Sequence, residues 1–180
     1  MRNVRAWSLL IVFFLLAACR PDGLMGANKA TKAQKTTKKA VQTEIAGLVF
    51  RVSDGDTLTL RDARGNEWRI RLHGIDSPEK EQEFGQKAGA ELARLVKNKN
   101  VRVTVQDIDK FGRVVGRVYL GEMDVNCEMV RLGCAWHYAA FAPDDQKLLQ
   151  AEAEARREKR GIWLSPNPVP PWTYRKSKGK

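Results

Sequence analysis

The sequence is poor in the side chains that bind zinc. It contains two histidines and three cysteines among 180 residues, and these form no compact cluster. Because zinc sites in proteins are built mainly from histidine and cysteine, we do not expect one here. A phosphate-binding loop of the G-x-x-x-x-G-K type is also missing, as are internal repeats, so neither a loop-bound nucleotide nor a repeat architecture is indicated.

Long apolar runs are missing too. The longest run, AWSLLIVFFLLAA at residues 6–18, follows Arg2 and Arg5. It is shorter than the about 20 residues that a transmembrane helix requires. A basic start followed by a short apolar segment is typical of an export signal, so we predict that residues 1–18 are a signal peptide removed from an exported protein.

The end of this segment predicts a lipid anchor. The residues LAAC, ending at Cys19, resemble a bacterial lipobox, in which small side chains precede a cysteine whose thiol receives a diacylglyceryl group. The alternative is an ordinary secretory signal with an incidental cysteine, and export follows in either case. By resemblance to lipoprotein sorting in Gram-negative bacteria, Arg20 favours the outer membrane over the periplasmic side of the inner membrane.

Basic residues outnumber acidic ones by 32 to 21, giving a formal net charge of +11. Loss of the signal peptide would remove two of the basic residues, so the mature chain stays basic. Such a chain attracts polyanions, either nucleic acid or an anionic membrane. Residues 19–43 contain almost no large apolar side chains. They are predicted to be a tether whose lysines are either solvated or in contact with these polyanions.

Five segments between residues 44 and 165 have the composition of strands. Turn sequences separate neighbouring strands, and a helix over Glu81–Lys97 stands between the third and fourth. This order matches an OB-fold barrel. We therefore predict an α+β, mainly β domain at 44–165: a five-stranded OB-fold barrel with three helices. The strand segments are 45–52, 57–62, 67–75, 101–107 and 112–120.

Two further helices follow the last strand. The first covers residues 124–133 and ends at a glycine, and the second begins at Pro143 or Asp144 and runs to Gly161. Residues 166–180 are rich in proline and then basic, which predicts an extended tail that is packed at most by Trp163 and Trp172.

The cysteines and histidines of the domain are predicted to be structural. On one helix, Cys127 and Cys134 would have Cα atoms about 10 Å apart, too far for a disulfide. We expect small buried apolar residues there, unless the helix ends between them. His73 and His137 stand singly, and such histidines are more often satisfied by backbone or solvent than used in a site.

Three polar segments stand at strand ends or strand connections, where a meander can bring separate loops together. They are DGDT at 54–57, RLHGIDSPE at 71–79 and DKFGR at 109–113. Asp56, Asp76 and the backbone oxygen of Ser77 supply hard oxygen ligands, which suit Ca²⁺ or Mg²⁺. We therefore predict a site for a divalent cation.

The same segments contain groups suited to a phosphate ester. Arg71 and Arg113 are planar donors that can hold phosphate oxygens from two sides. Glu79 is a carboxylate that can orient or deprotonate water. A cation, two guanidinium groups and such a carboxylate together indicate phosphodiester hydrolysis.

This site requires an irregular backbone. Strict alternation along a strand would send Arg71 and Asp76 to opposite faces. Gly74 lies between them and is expected to mark a bulge or bend that turns Asp76 inward.

In their order and content these motifs, together with VN..MVRLG.A, resemble the thermonuclease family, typified by staphylococcal (micrococcal) nuclease, over roughly residues 44–165. The resemblance implies a calcium-dependent nuclease of DNA and RNA that leaves 3′-phosphate ends. It implies Ca²⁺ ligands at Asp56, Asp76 and the Ser77 carbonyl. The catalytic positions that it implies are Arg71, Glu79 and Arg113.

The resemblance leaves substrate contacts and several roles open. It implies substrate binding by Lys110 and by Phe111, which stands where tyrosine is common and keeps the stacking face without the hydroxyl. Glu79 acts either as general base or as an orienter of water. DNA or RNA preference and endo or exo cleavage also stay open.

Two other functions are compatible with the sequence. One is a lipid-anchored OB-fold module that binds nucleic acid without cutting it, and the other is a structural surface lipoprotein whose basic residues bind anionic envelope polymers. Intact carboxylates and arginines at the predicted catalytic positions favour the enzyme. Nothing in the sequence indicates an obligate protein partner, and we expect a monomer.

Overall fold

The structure of the chain, a computed structural model, describes residues 43–179. Its strands are β1 (Glu44–Val52), β2 (Thr57–Arg61), β3 (Glu67–Leu72), β4 (Ile75–Asp76), β5 (Asn100–Ile108), β6 (Val114–Leu120), β7 (Met123–Asp124) and β8 (Trp136–His137). Its helices are α1 (Gly85–Val96), α2 (Val125–Arg131), α3 (Gln146–Arg157) and α4 (Pro171–Ser177), with a 3₁₀ turn at Gly161–Leu164.

Five of the strands close into a barrel. They pair in the order β3-β2-β1-β5-β6, with antiparallel neighbours, and β3 then pairs in parallel with β6. The closing register sets Ile70 beside Val114 and Arg71 beside Val115. The predicted OB-fold class is confirmed, with a fourth helix added to the three predicted ones.

Apolar side chains from alternate strand positions fill the barrel. Helix α1 covers this core with residues at helical spacing, among them Ala88, Leu92 and Val96, none of which is exposed to solvent. The helix begins at Gly85, later than the predicted Glu81, because the preceding residues form a turn and Phe84 has a left-handed backbone with φ of 71°. Buried strand residues include Val49, Leu58, Leu60, Ile70, Val103 and Val118.

The prediction of an extended C-terminal tail is wrong for residues 171–177, which form α4. Pro171 occupies the first turn of this helix, where its missing N–H costs no hydrogen bond. Trp172 stacks on Tyr138 with ring centroids 5.2 Å apart and planes 9° apart. Trp172 also meets the edge of Trp136 at 6.4 Å. These aromatic contacts hold α4 against the domain, in agreement with the predicted packing by Trp172.

The two cysteines of the domain are not joined. Helix α2 ends at Arg131, between them, and Gly133 follows with a left-handed φ of 67°. Cys134 is buried as predicted, and burial raises the pKa of its thiol to about 12. Cys127 is only half-buried, so the prediction of burial is wrong for that residue.

The signal peptide at 1–18, Cys19 and nearly all of the tether lie outside the described residues. Within residues 43–179, no helix has both the length and the apolar character needed to cross a bilayer.

Candidate active site

A cleft of about 630 Å³ lies where the β1–β2 turn, the β3–β4 turn, the β5–β6 turn and α4 meet. It collects the predicted site residues of the folded domain except Lys110. Those that line it are Asp56, Arg71, Asp76, Ser77, Glu79, Phe111 and Arg113.

Asp56 stands at the end of the β1–β2 turn and is buried. Its Oδ2 atom accepts hydrogen bonds from the Ser77 amide at 2.8 Å and the Ser77 hydroxyl at 2.9 Å, and it lies 3.1 Å from Nη1 of Arg71. Burial alone would raise the pKa of Asp56, but Arg71 and the Ser77 hydrogen bonds lower it below its ordinary value. Asp56 is therefore an ionised carboxylate inside the fold.

Arg71 joins the two aspartates of the predicted cation site. Its Nη2 donates to Asp76 Oδ1 at 2.9 Å, while its Nη1 lies near Asp56. The same guanidinium donates to the backbone carbonyls of Leu72 and Ile75 at 3.1 and 3.0 Å, which ties the turn between β3 and β4 together. One partly buried guanidinium thus fixes both carboxylates.

The expected irregularity lies at Gly74, whose φ is 73°. After this turn, β4 pairs with β8 instead of continuing β3, so Asp76 faces the cleft beside Arg71. A left-handed backbone suits glycine because it has no Cβ. The predicted bend between Arg71 and Asp76 is confirmed.

Glu79 lies just after β4, on the turn that leads into α1. Its Oε1 accepts from Nη1 of Arg175 at 2.9 Å. The carbonyl of Glu79 packs so closely on Gly85 that a Cβ there would lie 1.8 Å from it. The position of Glu79 therefore depends on a glycine at the start of α1.

Arg113 reaches the cleft from the β5–β6 turn. Its Nε donates to Asp109 Oδ2 at 2.7 Å, and its backbone N–H donates to Oδ1 of the same carboxylate at 2.9 Å. Burial opposes ionisation of Asp109, but these bonds lower its pKa. Phe111, with 69% of its surface exposed, stands beside Arg113, and Nζ of Lys110 lies 5.1 Å from its ring centroid. Lys110 itself does not line the cleft.

The donor set fits a hard divalent cation. Asp56 and Asp76 supply carboxylate oxygens from adjoining turns, and Ser77 adds further oxygen between them. Among residues 43–179, no three His, Cys, Asp or Glu side chains form a metal cluster. A cation here would therefore combine these carboxylates with neutral oxygen ligands, as calcium and magnesium do.

Several residues of the cleft were not expected from the sequence. Asp54 lies beside Asp56, and burial together with that charge raises the pKa of Asp54 to about 6. Tyr138 and Phe141 form an aromatic wall, with ring centroids 5.1 Å apart. Arg175 enters from α4 and bonds Asp76 as well as Glu79. The aromatic segment AWHYAAF was a signal for the wall, whereas nothing in the tail pointed to Arg175.

Comparisons with known proteins give one consistent similarity. The family model described as Staphylococcal nuclease homologue matches residues 69–165. An Escherichia coli protein named uncharacterized endonuclease is 44% identical over 136 residues, which are 75% of this chain and 88% of that protein. A similarly named Haemophilus influenzae protein is 34% identical over 175 residues, covering 97% and 86% of the two chains. A micrococcal nuclease of Shigella flexneri is 37% identical over 144 residues, or 74% and 82%.

Proposed function

From the premise that this chain belongs to the family of staphylococcal nuclease homologues, we propose that it is a Ca²⁺-dependent hydrolase of phosphodiester bonds in DNA or RNA, leaving 3′-phosphate ends. Its relatives carry the names endonuclease and micrococcal nuclease, and the chain is accordingly a nuclease. The ion, the products and the site roles are our proposal. The observation that carries it is the bridge that Arg71 makes between Asp56 and Asp76, inside a cleft that also contains Glu79 and Arg113.

Asp56, Asp76 and the backbone carbonyl of Ser77 would hold the ion. When bound, calcium polarises the phosphoryl oxygen and offsets the negative charge that grows in the transition state. Asp56 suits this role because it is kept ionised. Both aspartates are buried and bonded to Arg71, so their carboxylates are held in position before an ion binds.

The two arginines act on the reacting phosphate in different ways. Nε of Arg113 is held by Asp109, and within the described chain its terminal nitrogens donate no hydrogen bond, so that end of the guanidinium can face a phosphate. Arg71 is less exposed and already makes four contacts, so it acts mainly by placing fixed positive charge near the phosphoryl group.

Glu79 acts on the attacking water, as general base or by orienting it. The water oxygen forms a bond to phosphorus while the bond between phosphorus and the 5′ oxygen breaks. The departing 5′ oxygen takes a proton, and the other product ends in a 3′-phosphate. Phe111, with Lys110 beside it, offers an exposed ring on which a base can stack.

The test is cleavage of single-stranded DNA, duplex DNA and RNA by the full chain in detergent, with calcium, magnesium or a chelator. Glu79→Gln is expected to lower kcat about 10²- to 10⁴-fold, the usual contribution of a positioned acid or base. Glu83→Gln, an exposed carboxylate outside this cleft, is the matched control and should cleave normally. Tight binding without cleavage under every metal would contradict the enzyme and favour an anchored binding module.

The product ends can be tested separately. A fragment labelled with a dye at its 5′ end should change mobility after phosphatase treatment, because its 3′-phosphate is removed. Fragments that do not respond to phosphatase would contradict the proposed cleavage of the bond to the 5′ oxygen.

We also propose export and lipid anchoring through Cys19, which the sequence LAAC supports. Cells that express the full chain should incorporate labelled palmitate into it. Cys19→Ser should abolish the label while leaving export intact. A wild-type chain without label would leave an ordinary secretory signal as the explanation of residues 1–18.

A further inference from the structure

Arg175 of helix α4 is hydrogen-bonded to Asp76 of the proposed cation site and to the neighbouring Glu79. Its Nη2 donates to Asp76 Oδ2 at 2.7 Å, and its Nη1 lies 3.3 Å from Oδ1 of the same residue. Nη1 also donates to Glu79 Oε1 at 2.9 Å. With Arg71 on Oδ1 as well, both oxygens of Asp76 are already paired with guanidinium groups.

This arrangement conflicts with a cation on Asp76. The Asp76 side chain is 2% exposed, so a ligand has little room to approach it except where Arg175 now lies. Arg175 is charged, as arginine side chains in proteins always are. With Arg71 on Oδ1, the Asp76 oxygen left for an ion is Oδ2, and Arg175 now holds that oxygen. A guanidinium and a divalent cation repel each other, so an ion on Oδ2 has to displace Arg175.

The position of Arg175 is set by the packing of α4. Trp172, one turn earlier, is stacked on Tyr138, and Pro171 is buried at the start of the helix. Residues three apart lie on the same side of a helix, so this packing directs Arg175 towards the cleft. Its side chain is 32% exposed, which leaves a path for the guanidinium to turn outward while α4 stays docked.

We infer that Arg175 competes with the divalent cation for Asp76, and so sets the ion concentration at which the site fills. The inference rests on the proposed function, because it assumes a cation at Asp56 and Asp76. Without the ion, Arg175 is the second guanidinium on the buried Asp76 and also pairs with the half-buried Glu79. When the ion binds, the guanidinium leaves Asp76.

Calorimetric titration of the full chain in detergent with Ca²⁺ alone, without nucleic acid, tests this inference. Arg175→Gln is expected to bind Ca²⁺ about 2- to 5-fold more tightly than the wild type, the factor that corresponds to one partly exposed ion pair. Lys176→Gln, which removes an exposed charge from the same helix, is the matched control and should bind like the wild type. Circular dichroism spectra check that each variant is folded.

Thermal unfolding provides a second reading. Arg175→Gln should have a lower Tm than the wild type in chelator, because the buried Asp76 loses one of its two guanidinium partners. Added Ca²⁺ should raise its Tm more than that of the wild type. Arg175→Lys keeps the charge but not the bidentate geometry, so its Tm in chelator should lie between those of Arg175→Gln and the wild type.

The outcomes separate this inference from the proposed function. Equal or weaker Ca²⁺ binding by Arg175→Gln, with a wild type that binds Ca²⁺, overturns the competition and leaves the cation site standing. Binding by neither protein overturns both the competition and the calcium dependence. Binding by Arg175→Gln but not by the wild type would be the strongest support.

Discussion

Ser77 donates both its backbone N–H and its hydroxyl to a single carboxylate oxygen of Asp56, at 2.8 and 2.9 Å. The two residues are separated by 21 positions in the sequence and come from different turns. This pair of bonds joins the β1–β2 turn to the segment after β4. It therefore connects two parts of the proposed cation site before any ion binds.

Ser77→Ala should lower the free energy of unfolding in chelator by about 1 kcal/mol, because one hydrogen bond to a buried carboxylate is lost while the amide bond stays. Urea unfolding followed by circular dichroism measures the change. Ser165→Ala is the control, since the half-buried Ser165 side chain makes no hydrogen bond within the described chain. An unchanged midpoint for Ser77→Ala would contradict a stabilising role for this hydroxyl.

Gly85→Ala should damage activity as well as stability. The new Cβ would lie 1.8 Å from the Glu79 carbonyl oxygen, so the Glu79 backbone must shift. A displacement of about 1 Å at a catalytic group can lower the rate about 10²-fold, and we expect a loss of that order in kcat.

Gly89→Ala is the matched control for Gly85→Ala, because it lies in the same helix and its Cβ would meet only ordinary contacts at 3.6 Å. Alanine in a helix interior is favoured over glycine by about 0.5–1 kcal/mol, so this variant should be active and slightly more stable. Equal activity of the two variants would mean that Gly85 does not position Glu79.

Asp62→Ala should make the stability of the protein depend less on pH in the acidic range. Asp62 accepts hydrogen bonds from the backbone of Arg64 and Asn66 and from the Trp68 indole, which lower its pKa to about 2. A lowered pKa in the folded state adds stability above the ordinary pKa of about 3.8, and this contribution is lost as the pH falls towards 2.

The difference in Tm between wild type and Asp62→Ala should therefore be constant near neutral pH and shrink below about pH 4. Thermal unfolding across this range measures it. Glu122→Ala, which removes an exposed carboxylate, controls for loss of charge alone. A Tm difference that stays the same down to the lowest pH at which the protein folds would contradict the assignment.

Trp172→Ala should lower the free energy of unfolding by about 1–3 kcal/mol, since the stack on Tyr138 and the edge contact with Trp136 are both lost. Trp172→Phe keeps a ring at this position and should recover part of the loss. Urea unfolding measures both variants. Equal stability of Trp172→Ala and wild type would mean that α4 is not held by these contacts.

The sequence allowed the barrel and most of the cleft to be predicted because both depend on local signals. Alternating apolar residues marked the strands, and glycine between Arg71 and Asp76 marked the bend that brings them together. Helix α1 was predicted too early at Glu81, because helical periodicity does not reveal the left-handed backbone of Phe84 that precedes the helix.

The C-terminal contribution could not be predicted in the same way. Helix α4 is short and has no apolar periodicity of its own, and its position depends on the contact between Trp172 and Tyr138, which are far apart in the sequence. Arg175 looked like one of many basic residues in a proline-rich tail. Its pairing with Asp76 is a tertiary contact, which depends on how α4 packs against the domain.

The parallel pairing of β3 with β6 has a consequence for the timing of activity. Arg71 belongs to β3, and Arg113 directly precedes β6, so the pairing of these two strands brings the two proposed phosphate-binding groups to one cleft. A chain that crosses the membrane unfolded would carry both arginines without a working cleft. The nucleic acids of the producing cell would thus be protected until the barrel closes on the far side of the membrane.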